Sequence, residues 1–369
     1  MAGRVSLISL LGVSLAAAAA LAQSQETEPN NSKASATLAV VAPGGTFSGN
    51  ATGFTDLWDS SITGTESRDL WRVKTPVRAP GIYKYTIRNI SGTPHYAALL
   101  GQSQEGCAGN NDDSFIMFED PYWHWYGFGK EESVCIVIGV GLDPSDPPEN
   151  AEYVFQLQSE PVVPSEAAGS VTAGQVTITV DAENGDGEVD ADTWLYDSNF
   201  NAIPGAGNND SAAGDPGGPS VISRNLSPGV YYLAIGLFDL ISNQTCAAGD
   251  FDHYGQLLDY PDAVCCSNGW VTDAFYNVTI ADSDAGTSDV SLARVIPNYY
   301  EVAWVKFTVT GGANPCRGDF NGVGGVTVQD IFDFLSAWFG GQPSADFNHA
   351  GGVTVQDIFD FLSAWFAGC

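Results

Sequence analysis

Through roughly the first three hundred residues, apolar positions recur every second residue in short runs. Tyr83, Tyr85 and Ile87 set the pattern, and Tyr153, Phe155 and Leu157 and then Tyr276, Val278 and Ile280 repeat it. Period two with β-branched and aromatic residues predicts strands, here at 69–75, 79–87, 96–100, 134–139, 153–157, 232–239, 276–280 and 301–309. Frequent Gly and Pro between the runs supply the turns, and no long helical period interrupts them. The pattern changes near the end. IFDFLSAWF, from Ile331 and again from Ile358, has apolar residues at helical spacing and little else.

Those two helices belong to one 21-residue unit written twice, DFNGVGGVTVQDIFDFLSAWF from Asp319 and DFNHAGGVTVQDIFDFLSAWF from Asp346. Each unit alone is too small to bury its apolar face, so the two are expected to pack on one another. Before each helix stands a 12-residue stretch with oxygen-bearing side chains at the positions of a calcium hand. In the first, Asp319, Asn321, Gly325, Thr327 and Asp330 fill places 1, 3, 7, 9 and 12, with Gly324 at the sharp turn. Asp346, Asn348, Gly352, Thr354 and Asp357 fill the same places in the second. The pairs Thr327/Asp330 and Thr354/Asp357 also read as capping pairs that open a helix. The stripe Ile331, Leu335 and Trp338 is expected to pack on Ile358, Leu362 and Trp365. Phe332, Phe334 and Phe339, with Phe359, Phe361 and Phe366, then form the candidate partner-binding patch.

Two loop–helix units without a leading helix, closed by a Gly-Cys ending, resemble a dockerin module of the GC type found in secreted bacterial proteins. The resemblance implies weak structural calcium in the two loops and a cohesin or other surface receptor as partner. At loop position 5 the family carries an acid, and here stand Val323 and Ala350. The expected affinity therefore shifts to the weak extracellular end, on the order of 10⁻⁴ to 10⁻³ M. Cys316 and Cys369 frame the repeat and are expected to bridge, the alternative being a free Cys369 that attaches the chain to the cell surface.

Upstream, ETEPNNSKASAT (Glu26–Thr37), DLWRVKT (Asp69–Thr75) and APGIYKYTI (Ala79–Ile87) resemble bacterial pre-peptidase C-terminal domains. The ordering returns more weakly. Cys135–Asp143 matches Tyr232–Asp239, and YVFQL matches YNVTI. The second copy lacks the Asp-aromatic strand at its start, and EVAWVKFTV (Glu301–Val309) resembles it from the far end. The expected architecture is mainly β: two tandem jelly-roll-like β-sandwiches at 23–160 and 161–310, then the small helical module at 311–369. Glu160–Pro164 reads as a linker between the sandwiches, and the stretch about 241–268 as an insertion in the second.

Residues 1–22 read as a secretory signal: Arg4, an apolar stretch, then Ala20-Leu21-Ala22. The expected address is extracellular, at or near the cell surface, with no membrane span. Formal net charge is −31 with 13 basic residues, which argues against nucleic acid and anionic membranes as partners. Seven cysteines in an exported chain read as a disulfide set with one left over. Beyond the frame, Cys107–Cys135 and Cys246 with Cys265 or Cys266 are the expected local pairs.

No catalytic constellation appears among the four histidines, and no nucleophile elbow or zinc spacing is present, so the chain reads as non-catalytic. The acidic stretch 181–192 reads as a solvated turn, with a second calcium site as its alternative. PYWHWYGFG (Pro121–Gly129) reads as loop packing, with Trp123 and Trp125 as an alternative platform for a polysaccharide. The sequence thus describes a secreted modular protein that docks through its tail, the alternative being a carbohydrate-binding accessory subunit.

Overall fold

The computed structural model describes residues 23–51, 69–90, 96–105, 108–117, 124–139, 151–184, 187–208, 218–237, 240–244, 256–266, 274–282, 287–292, 300–311, 318–323, 325–348 and 352–368. The proposed signal, 1–22, lies outside them. The described residues are mainly β, forming four sheets and two C-terminal helices.

The first two sheets share a core. One runs in the order Gln23–Gln25, Thr46–Ala51, Ala151–Val162, Ile82–Asn89, His124–Gly127, Ala263–Cys266, Leu240–Ile241. The other runs Thr37–Val40, Asp69–Lys74, Ser133–Gly139, Tyr96–Glu105, Gln256–Leu257, with Ala108–Met117 beside Tyr96–Glu105. Alternate residues of both meet around Phe47, Trp71, Tyr85, Ile136, Tyr153 and Phe155. Fully burying each such side chain contributes roughly 1.5–3 kcal/mol before conformational entropy is subtracted. The expected linker at 160–164 is largely strand instead, because Ala151–Val162 continues through Glu160 and Pro161 to Val162, opposite Ile82. Pro161 is tolerated there because Thr46–Ala51 pairs only as far as Gln156, leaving one side of the strand open.

The other two sheets repeat this plan in a permuted order. Asp69–Lys74 lies between a parallel neighbour, Thr37–Val40, and an antiparallel one, Ser133–Gly139. Ala303–Thr310 likewise lies between parallel Ser165–Glu166 and antiparallel Gly229–Leu237. Ala191–Tyr196 and Ala202–Asn208 continue that sheet as Tyr96–Glu105 and Ala108–Met117 continue the first. In the remaining sheet Gly174–Asn184 sits between Ser220–Leu226 and Phe275–Asp282, which pairs on to Thr287–Leu292. Ile82–Asn89 has the same neighbours in His124–Gly127 and Ala151–Val162, which pairs on to Thr46–Ala51. The second unit therefore takes from its C-terminal end the two strands that the first takes from its front. Ile138 faces Asp69, whereas its counterpart Ile235 faces Ala303, so the second unit has no acid at that place.

The insertion ties the units together rather than decorating the second. Ala263–Cys266 pairs with His124–Gly127, and Gln256–Leu257 with Tyr96–Glu105. Its alternation is apolar on both faces because each face enters a different core: Ile241, Ala263 and Cys265 the first, Leu240, Val264 and Cys266 the second. Trp125 and Tyr126 divide in the same way. Glu301 closes the seam, paired with Lys84 and accepting from Tyr126 Oη at 2.5 Å. Burial opposes ionisation of Glu301, but charge from His124 and Lys84 outweighs it and holds the carboxyl below its usual range.

In the C-terminal part, helices Val328–Phe339 and Val355–Ala367 pack as a pseudo-two-fold pair. Phe334 and Phe361 stack at its centre, 4.2 Å apart and 11° from parallel. Trp338 Nε1 donates to the Thr354 carbonyl at 2.7 Å, and Trp365 Nε1 to the Thr327 carbonyl at 2.8 Å. Each unit thus closes the helix start of the other. No helix among the described residues is long and apolar enough to cross a membrane.

Candidate functional site

The two loops preceding these helices share nearly the same hydrogen bonds. Asp330 Oδ2 accepts from Thr327 N–H at 2.8 Å and Thr327 Oγ1 at 2.9 Å, while Oδ1 accepts from Asn321 N–H at 3.1 Å. Asp357 does the same with Thr354 (2.7 and 3.0 Å) and Asn348 (3.1 Å). Asp330 and Asp357 are fully buried. For Asp330, burial resists the charge, yet the N–H donors prevail and the carboxyl lies below its usual range. For Asp357 the Thr354 N–H is the largest cause of the same shift. Both acids therefore serve as helix caps and stay ionised.

Asp319 Oδ1 and Asn321 Oδ1 both accept from the Val323 N–H, at 3.1 and 2.8 Å. Asp346 Oδ2 accepts from Gly352 N–H at 3.2 Å. Gly325 and Gly352 hold φ of 75° and 80°, a left-handed conformation that glycine adopts without strain. The loop thus concentrates Asp319, Asn321 and Asp330 oxygens, hard donors suited to calcium. Val323 is exposed and offers no side-chain oxygen; Gly324 and Ala350 lie outside the described residues. On the calcium reading of these loops, Val323→Asp is expected to tighten binding by roughly tenfold or more, since ligand charge sets affinity in such loops. Calorimetric titration of both forms checks this, and equal affinities would contradict it.

On the helices the six candidate partner-binding phenylalanines separate into two sets. Phe332, Phe339, Phe359 and Phe366 are 62, 79, 60 and 78 % exposed, joined by exposed Val328 and Val355. Phe334 and Phe361 are instead the buried core pair, correcting their assignment to the patch. The half-buried Ile331, Leu335, Trp338, Ile358, Leu362 and Trp365 only flank them.

Trp125 is likewise corrected. It is fully buried and stacked on Tyr85 at 5.7 Å, so no sugar can reach it. Trp123 lies outside the described residues. In the acidic stretch, Asp192 turns inward to accept the Leu240 N–H at 2.7 Å, while Asp181 and Glu183 are exposed.

Cys135 and Cys265 are free, buried thiols, not the bridged residues expected. Cys135 sits under Tyr260 beside Leu70 and Val137, and Cys265 points into the first core. Burial pushes the Cys135 thiol up to about 12 and Cys265 higher still, so both are poor nucleophiles. Cys266, the alternative partner for Cys246, turns the other way and donates to the Leu237 carbonyl at 3.0 Å. Cys107, Cys246, Cys316 and Cys369 lie outside the described residues. Gly318, however, lies so close to the second helix that a Cβ would come within 2.8 Å of Trp365 Cα and 2.9 Å of the Ala364 carbonyl. Two residues before Gly318 and four after Trp365 stand the framing cysteines. A Cys316–Cys369 bridge is expected to contribute roughly 4 kcal/mol. Intact mass with and without reductant checks it, and a free or lipid-modified Cys369 would contradict it.

One constellation was not expected. Glu26, Glu28 and Asp69 bring carboxylate oxygens within 4.8 Å of one another. The first strand, parallel to Thr46–Ala51, and the Glu26 N–H bond to the Ser48 carbonyl at 3.0 Å place the two glutamates. Glu26 Oε1 accepts from Asn50 N–H at 2.7 Å. Asp69 is fully buried at the start of its strand. Burial and then the neighbouring Glu26 push its carboxyl up to about 8. Such a trio is relieved either by a proton on Asp69 or by a hard cation on its oxygens.

No protein-family model matches this chain, and neither does any curated protein.

Proposed function

We propose that this is a secreted, non-catalytic modular protein whose two β-sandwich units bind or present and whose C-terminal loop–helix pair docks into an extracellular or cell-surface assembly. The carrying observation is the paired set of exposed phenylalanines, Phe332 and Phe339 on one helix and Phe359 and Phe366 on the other. Exposing side chains this apolar to water is unfavourable, and a module with four of them on two short helices gains by covering them. The partner we infer is a cohesin-like or other surface receptor, with weak structural calcium steadying the loops. Burial of Trp125 leaves the polysaccharide-platform alternative without its described aromatic. The reading is tested by measuring binding of the full chain to purified cohesin modules, with and without calcium, beside a chain lacking 318–369. Saturable binding lost on truncation supports it; binding that survives truncation overturns it.

A further inference from the structure

Where the two β units meet, a cleft of about 150 Å³ opens between the turn after Tyr196, residues 242–244 and residues 261–263, over Phe128. Docking through the helices leaves it unused. Junctions between units are common places for small-ligand sites, and this one is rigidly built. Asp197 accepts from the N–H groups of Asn199 and Asn201, at 2.8 and 2.9 Å, tightening the turn. Lys130 Nζ spends its three protons on the Phe200 carbonyl, Asn201 Oδ1 and Asp262 Oδ1, at 2.9, 2.8 and 3.2 Å. Phe200 and Asp262 hold φ of 57° and 64°, left-handed conformations that persist where the surroundings dictate them. Phe200 is kept there by stacking on Phe128 at 5.3 Å and by a tilted contact with Tyr232 at 4.6 Å.

Against this framework two polar side chains remain open. Gln244 Nε2 donates to Asn243 Oδ1 at 3.2 Å, and the Gln244 N–H to Ser242 Oγ at 3.1 Å. Asn243 Nδ2 and Gln244 Oε1 then have no hydrogen-bond partner among the described residues. Linked to one another, they offer one donor and one acceptor side by side, which suits neighbouring hydroxyls. Asp262 is already paired with Lys130. A chain of net charge −31 repels anions. We propose that the cleft takes one neutral sugar ring, its hydroxyls on Asn243 and Gln244.

The test is saturation-transfer NMR with calorimetry on the full chain, using methyl glycosides of glucose, galactose, mannose and N-acetylglucosamine. At least one should saturate with a Kd on the order of 1–10 mM, the range a single ring reaches. Asn243→Ala with Gln244→Ala should weaken it at least ~10-fold, about 1.4 kcal/mol, with unchanged unfolding midpoint and unchanged receptor docking. Docking readout separates this proposal from the docking reading itself. Should the double variant unfold, Gln244→Glu, which replaces a neutral acceptor by a charge, is read for the same loss. No saturable glycoside, or equal affinity in a folded variant, would overturn the proposal.

Discussion

Phe334→Ala or Phe361→Ala is expected to unfold the helical module while the β units stay folded. The two rings stack on each other at the pseudo-two-fold centre, and Phe320 and Phe347 pack edge-on against Phe361. Truncating such a ring costs roughly 3–5 kcal/mol, the lost transfer energy plus a cavity. A core of this size supplies only ~3–5 kcal/mol, so with reductant present, which removes any contribution of the Cys316–Cys369 bridge, one substitution removes the margin. Phe339→Ala, on a side chain mostly in solvent, should change stability by less than about 0.5 kcal/mol. Circular dichroism and amide exchange on the full chain check the contrast. Equal effects at Phe334 and Phe339 would mean that the core pair is misassigned.

The second large effect concerns pH. Asp69 has an ordinary carboxylate value of 3.8 when exposed and is raised to about 8 by burial and Glu26 in the folded chain. A raised acid stabilises the fold fully below about pH 4, where both states carry the proton. As pH rises toward 8 the unfolded chain gives up that proton first, and the contribution is lost. At 1.4 kcal/mol per unit the ceiling is ~6 kcal/mol, shared with the neighbouring acids. Relative to Asp69→Asn, which mimics the protonated form, wild type should therefore lose several kcal/mol between pH 5 and 8. Using the difference removes the background repulsion of an acidic chain. Calcium should restore the β units of wild type at pH 8 and leave those of the variant unmoved if the trio holds a cation. Parallel pH profiles for wild type and Asp69→Asn would contradict the burial argument.

Much of this was legible in local pattern. Alternation located eight of the strands but not Thr46–Ala51, Ala191–Tyr196 or Ala202–Asn208, and His124–Gly127 is a strand where loop packing was expected. The capping pairs opened both helices where expected, and the resemblance of Glu301–Val309 to Asp69–Thr75 found a strand that pairs in the corresponding place. Where reading failed, a distant partner decided. Phe334 and the Ile331–Leu335–Trp338 stripe are adjacent on one helix, and only the facing helix determines which turns inward. Trp125 alternates as expected with its neighbours, but Tyr126 on the other face is buried too because the second unit covers it. The trio of Glu26, Glu28 and Asp69 arises from strand register and carries no spacing signature. Cys265 and Cys266 offered a bridge to Cys246 on paper, whereas their strand lies between two apolar cores that each take one thiol.

The most direct test of docking is the full chain with Phe332, Phe339, Phe359 and Phe366 all replaced by serine. These side chains lie outside the module core, so helicity and unfolding midpoint should stay close to wild type. Receptor binding should fall by at least ~100-fold, since buried aromatic anchors commonly carry 2 kcal/mol or more each. A folded quadruple variant that binds its receptor as tightly as wild type would contradict the account.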